Sequence, residues 1–144
     1  EAFTWDFIGH LQSRKVKQVL PLVRLVHGVA TDSVVAQLAR HATPDTEVLV
    51  EVNVAREPGK GGVDPDDLDA FIASCRAAGA RVGGLMTMPP LVTDPEDSRR
   101  WFAALAELAA ARGLARLSMG TTQDYAVAAE EGATIVRIGT KLFR

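Results

Sequence analysis

Short runs rich in valine, isoleucine and leucine alternate with longer amphipathic runs along the whole chain, and this alternation constrains the fold more than any other feature. It is typical of βαβ units, which build a parallel sheet. Strands are predicted at 4–9, 22–29, 47–54, 81–88, 116–118 and 134–138. Helices are predicted between them at 13–20, 32–41, 65–78, 95–112 and 123–131. Most of the strand candidates are apolar on both faces, as is expected of strands that helices cover.

The predicted count of about six strands and five helices leaves two architectures open. An open doubly wound sheet can hold six strands, and so can part of a (β/α)8 barrel of the TIM type. A complete barrel has eight strands and typically about 250 residues, whereas this chain has 144. The pattern does not decide between the two. Because no linker or low-complexity segment interrupts the chain, we expect a single domain over residues 1–144.

The composition argues against several classes of protein. The chain has 16 Lys and Arg against 18 Asp and Glu, whereas nucleic-acid-binding proteins usually carry a basic surplus. Cys75 is the only cysteine, which excludes an intrachain disulfide. No apolar run approaches the roughly 18 residues of a membrane span, and no HExxH or CxxC metal motif is present. We therefore expect a cytoplasmic protein without a nucleic-acid, membrane or metal partner.

Candidate site residues follow the predicted strands, because ligand groups gather at the carboxyl ends of parallel strands. Residues 118–122, Ser-Met-Gly-Thr-Thr, combine hydroxyls with backbone N–H groups and a helix start, which are the donors that hold a phosphate. Gly139 and Thr140 offer the same kinds of donor after the last strand. The alternative for 118–122 is a simple strand–helix turn with a hydroxyl cap.

Arg137 lies inside the apolar run Ile-Val-Arg-Ile, where a buried charge needs an acceptor. The structural explanation is an ion pair with a carboxylate such as Glu51, or a strand end that reaches solvent. His10 follows a predicted strand but has no metal-ligand spacing, and His27 fits either a core or a pocket. Met86 fits core filling and a pocket wall equally well.

Three segments together resemble one protein family. They are Trp-Asp-Phe-Ile-Gly-His-Leu-Gln-Ser at 5–13 with Lys-Val-Lys at 15–17, Gly-Leu-Met-Thr-Met at 84–88, and Leu-Ser-Met-Gly at 117–120 followed by Glu-Gly-Ala-Thr-Ile-Val-Arg-Ile-Gly-Thr at 131–140. In this order and spacing they resemble the pyridoxal phosphate homeostasis proteins, whose fold is related to the N-terminal barrel of alanine racemase. The resemblance implies a pyridoxal phosphate (PLP) carrier on a TIM-type barrel.

The resemblance also implies roles for individual residues. The family's phosphate ligands correspond to Ser118, Gly139 and Thr140, with Met119 and Gly120 in the motif of Ser118. The arginine that faces the pyridine nitrogen in the family corresponds to Arg137. His10 and Met86 would then line the wall of the pocket. No catalytic residue is assigned.

An arginine beside the ring favours holding the cofactor over using it. A guanidinium cannot accept a proton, so the ring nitrogen is expected to stay unprotonated and the cofactor to be a weaker electron sink. We therefore expect a protein that binds PLP and buffers it or delivers it to recipient enzymes, without robust catalysis. The alternative is a PLP-dependent amino-acid racemase or related enzyme, which needs a second acid or base such as Tyr125 or Cys75.

The chain departs from the family in one place. Members carry the lysine that bonds PLP covalently on the first barrel strand, which would lie upstream of Glu1. None of Lys15, Lys17, Lys60 and Lys141 stands in that context. We therefore expect the C-terminal three quarters of a barrel, beginning near its third strand. Such an incomplete barrel exposes two sheet edges, which favours self-association.

Overall fold

Parallel strands and helices alternate through residues 3–143, which are the residues that the computed structural model describes. The strands are β1 (Asp6–Phe7), β2 (Leu25–Val29), β3 (Glu47–Glu51), β4 (Arg81–Met86), β5 (Arg116–Thr121) and β6 (Ile135–Arg137). The α-helices are α1 (Val16–Val19), α2 (Asp32–His41), α3 (Leu68–Ala77), α4 (Arg99–Ala110) and α5 (Tyr125–Glu130). Within the described residues this confirms the predicted six strands and five helices.

The order of the strands decides between the two architectures. The strands pair as neighbours in sequence order, from β1 to β6, and every pair is parallel. A doubly wound sheet reverses its order at a switch point, and this sheet does not. The sheet is also curled. His27 Nδ1 on β2 lies 2.8 Å from Ser118 Oγ on β5 although these strands are not neighbours, and a flat sheet would hold them apart. The described residues therefore form an incomplete TIM-type barrel, as predicted.

The two faces of the sheet have different cores. Side chains on the outer face, such as Val48 and Leu85, pack with the helices in one large buried cluster. A smaller cluster of Leu25, Leu49 and Met86 lies on the inner face, with Ile135 against it. Because side chains alternate along a strand, the residue two positions after an inner residue also points inward. This places polar residues above the inner apolar cluster, at the carboxyl ends of the strands.

Some boundaries differ from the prediction. The helix predicted at 13–20 is only one turn of α-helix between 3-10 turns at Ser13–Lys15 and Leu20–Leu22. Pro21 lies in the second of these turns, and proline lacks the N–H that a continuing helix needs. Strand β2 consequently begins at Leu25 rather than at 22. Strand β5 extends to Thr121, three residues beyond the prediction.

Side-chain caps precede two of the longer helices. Thr31 accepts a hydrogen bond from the N–H of Val34 at the start of α2, and Asp94 accepts one from Glu96 before α4. Proline follows Asp94 in the first turn, a position that needs no N–H. These caps fix where each helix begins, and therefore where the loop that follows each strand ends. Among residues 3–143 no helix has the length and apolarity to span a bilayer.

Candidate functional site

The candidate site lies at the carboxyl ends of the strands, on the inner face of the curled sheet. Arg137, the last residue of β6, is held there by three side-chain hydrogen bonds. Its Nη1 donates to Ser118 Oγ at 2.8 Å, and its Nη2 donates to the carbonyl of Thr87 at 2.9 Å. Nη2 also contacts the sulfur of Met88 at 2.8 Å. The guanidinium is therefore fixed between β4 and β5 rather than free to reach solvent.

The partners of Arg137 are neutral, which differs from the expected ion pair with Glu51. Among the described residues, Glu51 and Asp124 attract the guanidinium at longer range without pairing with it. Burial lowers the pKa of Arg137, and these two carboxylates oppose that effect. Burial likewise raises the pKa of Glu51, against the attraction of Arg137 and His10. The site therefore has a positive charge on neutral supports, with its nearest negative charges set apart from it.

Ser118 lies deeper than the sequence predicts. Its side chain is fully buried, and its Oγ contacts His27 Nδ1 at 2.8 Å as well as Arg137. His27 is also fully buried, and its Nε2 lies 3.0 Å from Asp6 Oδ2. The Ser118 hydroxyl is therefore hydrogen-bonded to two protein side chains. The geometry places it beside Arg137, and its assignment to the phosphate stays a prediction.

Gly139 and Thr140 lie where the phosphate end of a ligand was expected. Both are exposed just after β6, and Thr140 opens the 3-10 turn Thr140–Phe143. The first N–H groups of such a turn have no partner within it. A Cβ at Gly139 would meet nothing within 4 Å, so the backbone there is open to approach.

The end of β5 is less available than the sequence suggests. The N–H and hydroxyl of Thr121 both donate to Asp124 Oδ1, at 2.7 and 3.2 Å. The helix that follows, α5, has six residues, too few to supply a strong helix dipole. Thr122 is half-buried beside this cap. Residues 121–124 therefore form a turn closed by the Asp124 carboxylate, and not the turn with a hydroxyl cap that was the alternative to a phosphate cradle.

The remaining predicted residues divide between the two faces. Met86 belongs to the inner apolar cluster beneath the site, as a pocket wall requires. Met119 follows Ser118, and its side chain points the opposite way, into the core under the helices. Its assignment to the cofactor site stays a prediction. Gly120 has a φ of 97°, and a Cβ there would lie 2.6 Å from the Cβ of Ala128 on α5. Its absence of a side chain serves packing of α5.

His10 lies on the other side of the site, away from Arg137. It is exposed and lines a cavity of about 220 Å³ together with Glu51, Gly28 and Thr31. A Cβ at Gly28 would approach the sulfur of Met86 at 4.0 Å, so this cavity adjoins the inner apolar cluster. The wall role predicted for His10 remains a prediction, now assigned to this cavity.

The lysines do not enter the site. Lys15, Lys17, Lys60 and Lys141 are all exposed, and Lys141 Nζ donates to the hydroxyl of Tyr125 at 2.6 Å. Within residues 3–143 no cluster of three or more His, Cys, Asp or Glu side chains has the arrangement of a metal site. The described part of the chain therefore offers an arginine and backbone donors, and no lysine, to a ligand in the interior.

Sequence reasoning missed Asp6, the carbonyl of Thr87 and the sulfur of Met88 as neighbours of the site. One signal was available for His27, because it lies two residues after Leu25 and so shares its inward face. Nothing in the sequence indicates that this histidine meets a serine 91 positions away.

Comparison with known proteins agrees with this geometry. Residues 5–144 match the family model of the alanine racemase N-terminal domain. Two curated relatives named pyridoxal phosphate homeostasis protein, from Aquifex aeolicus and Deinococcus radiodurans, are 42% and 41% identical, each over 96% of this chain. The chain spans 65% and 66% of their lengths, just under two thirds.

A solved structure of PipY from Synechococcus elongatus with PLP bound is 30% identical, with a TM-score of 0.83. The match covers 100% of this chain and 72% of that protein. The family model, the relatives and the shared fold agree with the three motifs quoted from the sequence. The chain belongs to the alanine racemase N-terminal domain family, among the pyridoxal phosphate homeostasis proteins.

Proposed function

We propose that this chain forms the ring-nitrogen and phosphate ends of a PLP site, and that the whole protein binds PLP to buffer or deliver it. The observation that carries the proposal is the guanidinium of Arg137, fixed by Ser118 and the Thr87 carbonyl at the carboxyl ends of the strands. PLP is bound in the solved structure of PipY. The names of the curated relatives support the same role.

The donors of the site fit the chemistry of this cofactor. Arg137 has five N–H donors and no acceptor, of which three have partners here. A remaining donor suits a pyridine nitrogen that carries a lone pair. The open backbone at Gly139 and the hydroxyl of Thr140 suit a phosphate. Met86 and its apolar neighbours suit the face of an aromatic ring.

The role of the chain's own residues is to bind and orient. When bound, PLP supplies an electron-withdrawing ring, and Arg137 keeps its nitrogen unprotonated because a guanidinium donates and does not accept. This favours storage over catalysis. Cys75 is a buried residue of helix α3, and burial raises the pKa of its thiol to about 11, so it stays protonated at neutral pH and cannot act as a base. Tyr125, the other acid or base that a racemase would need, lies against Lys141.

Titration with PLP, followed by absorbance and by quenching of tryptophan fluorescence, tests the proposal. Arg137→Gln removes the charge and is expected to weaken binding by about 10- to 100-fold, because hydrogen bonds to charged groups contribute about 1.5–3 kcal/mol. Arg100→Gln removes an equal charge from exposed helix α4, where it lies over Trp101, and is the matched control. Equal affinities of the two variants would show that Arg137 does not contact the ligand.

Borohydride reduction tests whether PLP forms a covalent bond with a lysine of this chain. Since the four lysines are exposed, this chain is expected to bind PLP without forming a covalent bond to lysine. After reduction, peptide mapping should show no lysine labelled in preference to the other three. A stable adduct on one lysine would contradict this half of the proposal.

Recipient enzymes and self-association are part of the proposal as well. Phe3 and Trp5 are exposed beside β1, and Leu142 and Phe143 are exposed beyond β6. These apolar side chains lie next to the two edge strands, where unpaired backbone groups favour association. Light scattering over a concentration series should detect a dimer or larger species, and a constant monomer mass would contradict self-association.

A further inference from the structure

A continuous line of hydrogen bonds runs inward from Arg137 and ends at a carboxylate on the opposite edge strand. Arg137 Nη1 contacts Ser118 Oγ, Ser118 Oγ contacts His27 Nδ1, and His27 Nε2 contacts Asp6 Oδ2. The three distances are 2.8, 2.8 and 3.0 Å. The four residues lie on β6, β5, β2 and β1, so the line crosses the interior of the curled sheet.

Counting donors gives this line a direction. A guanidinium only donates, so Ser118 Oγ accepts from Arg137 and has its own hydrogen to give. If that hydrogen goes to Nδ1 of a neutral His27, then the ring hydrogen is on Nε2 and is donated to Asp6. Burial lowers the pKa of His27, against the opposing effect of Asp6, and this favours the neutral ring. Each group then donates one hydrogen bond to the next, and all three hydrogen bonds run in the same direction, from the Arg137 guanidinium to the Asp6 carboxylate.

Burial makes the arrangement rigid. His27 and Ser118 are fully buried, and the side chain of Asp6 is 17% exposed. Burial alone would raise the pKa of Asp6, but hydrogen bonds from Arg24 and His27 outweigh it and lower the pKa. Asp6 is therefore ionised at neutral pH. A carboxylate at the end of the line makes His27 a stronger acceptor, and His27 in turn makes Ser118 a stronger acceptor for Arg137.

We propose that Asp6, His27 and Ser118 are positioning residues that fix the Arg137 guanidinium for the ring nitrogen of PLP, with His27 held as its Nε2–H tautomer. The ligand of this inference, PLP, comes from the proposed function, whereas its geometry comes from the three hydrogen bonds. Through these hydrogen bonds, Asp6 on β1 affects the end of the pocket that would hold the PLP ring, although β1 does not contact Arg137 directly. The same hydrogen bonds give Ser118 a role at the ring nitrogen in place of the phosphate.

Asp6 has a second partner, which supplies the control. Arg24 donates to Asp6 through Nε at 3.0 Å and Nη2 at 2.7 Å, and the Arg24 side chain is 47% exposed. A purely structural role for Asp6 would act through this surface ion pair. Arg24→Gln breaks the pair and leaves the line to Arg137 intact, whereas Asp6→Asn weakens both.

The first measurement is the tautomer of His27 in the protein without cofactor, from long-range ¹H–¹⁵N NMR of histidine-labelled chain, with His27→Asn to assign the signal. The expected pattern is a protonated Nε2 and an unprotonated Nδ1. Asp6→Asn should lose this preference, because an amide can either accept from Nε2–H or donate to Nε2. Arg24→Gln should retain it. A protonated Nδ1 in the wild-type chain, or an unchanged tautomer in Asp6→Asn, would overturn the proposal.

The second measurement compares PLP with inorganic phosphate as ligands. Asp6→Asn is expected to weaken PLP binding about tenfold, as is common for residues that orient a ligand-binding group, with phosphate affinity unchanged. Arg24→Gln should change neither by more than about twofold, because exposed ion pairs contribute little. Equal losses in both variants, or an equal loss for PLP and phosphate in Asp6→Asn, would overturn the positioning role. If the wild-type chain binds no PLP, the proposed function fails, while the tautomer still decides whether the line exists.

Discussion

Gly120 gives the sharpest test of how this fold is packed. A Cβ at this position would lie 2.6 Å from the Cβ of Ala128, closer than real Cβ atoms approach, and 3.1 Å from the Cα of Tyr125, which is also a tight contact. Its φ of 97° also lies in the region that L-residues avoid. The strain of the backbone costs about 1–3 kcal/mol, and overpacking against α5 costs about 1–3 kcal/mol more. Gly120→Ala should therefore lower the free energy of unfolding by about 2–6 kcal/mol.

Substitutions at two other glycines separate the cost of backbone strain from the cost of overpacking. Gly9 has a φ of 104° but open space around its Cβ position, and Gly139 has open space without a positive φ. Gly9→Ala should lose only the backbone contribution, about 1–3 kcal/mol, and Gly139→Ala should change stability by less than about 0.5 kcal/mol. Urea unfolding with an unchanged m-value measures all three. If Gly120→Ala matches Gly9→Ala, the close contact between β5 and α5 is not a constraint on this fold.

The buried charges give further predictions for pH and stability. Burial lowers the pKa of His27 below 6.5, so the unfolded chain takes up the proton first as the pH falls. Stability should therefore decrease as the pH falls below about 6.5, by up to about 1.4 kcal/mol per pH unit. His27→Asn should remove this decrease, and a parallel pH profile in both proteins would refute the reasoning. Burial raises the pKa of Glu51, so its ionised form opposes folding at pH 7. Glu51→Gln should raise the midpoint of urea unfolding at pH 7 and lose this advantage as the pH approaches 4.5, where the carboxyl is neutral in the folded chain.

Much of the architecture follows from local pattern. The alternation of apolar and amphipathic runs predicts all six strands and five helices, because burial on both faces of a strand requires a run of apolar residues. The stretch at 13–22 shows where propensity fails. Its residues satisfy a helical pattern, yet Pro21 and two 3-10 turns shorten the α-helix to Val16–Val19. Pro21 is the sequence signal for the end of this helix, whereas the pattern gives no signal for the 3-10 turn at Ser13–Lys15.

The site was predictable in its location and less so in its contacts. Strand ends and the family motifs placed Arg137, Gly139 and Thr140 at one end of the sheet. The position of Ser118 was not predictable, because the motif carries no information about whether a strand residue faces a ligand or a neighbouring side chain. The same holds for Asp6, whose role depends on the curvature that brings β1 and β2 opposite β5. Long-range contacts of this kind are set by the closure of the sheet.

The hydrogen bonds that cross the interior also have a consequence for synthesis of the chain. His27 is made early, and its partner Ser118 follows 91 residues later. A ribosome adds about 5–20 residues per second, so Nδ1 of His27 must remain hydrated for several seconds before the Ser118 hydroxyl that donates to it has been made. During that time β1 and β2 cannot adopt their final packing, because burying an imidazole nitrogen without a hydrogen-bond partner is costly. Strand β5 therefore completes the packing of β1 and β2, and a nascent chain released before β5 should be recognised by chaperones or degraded.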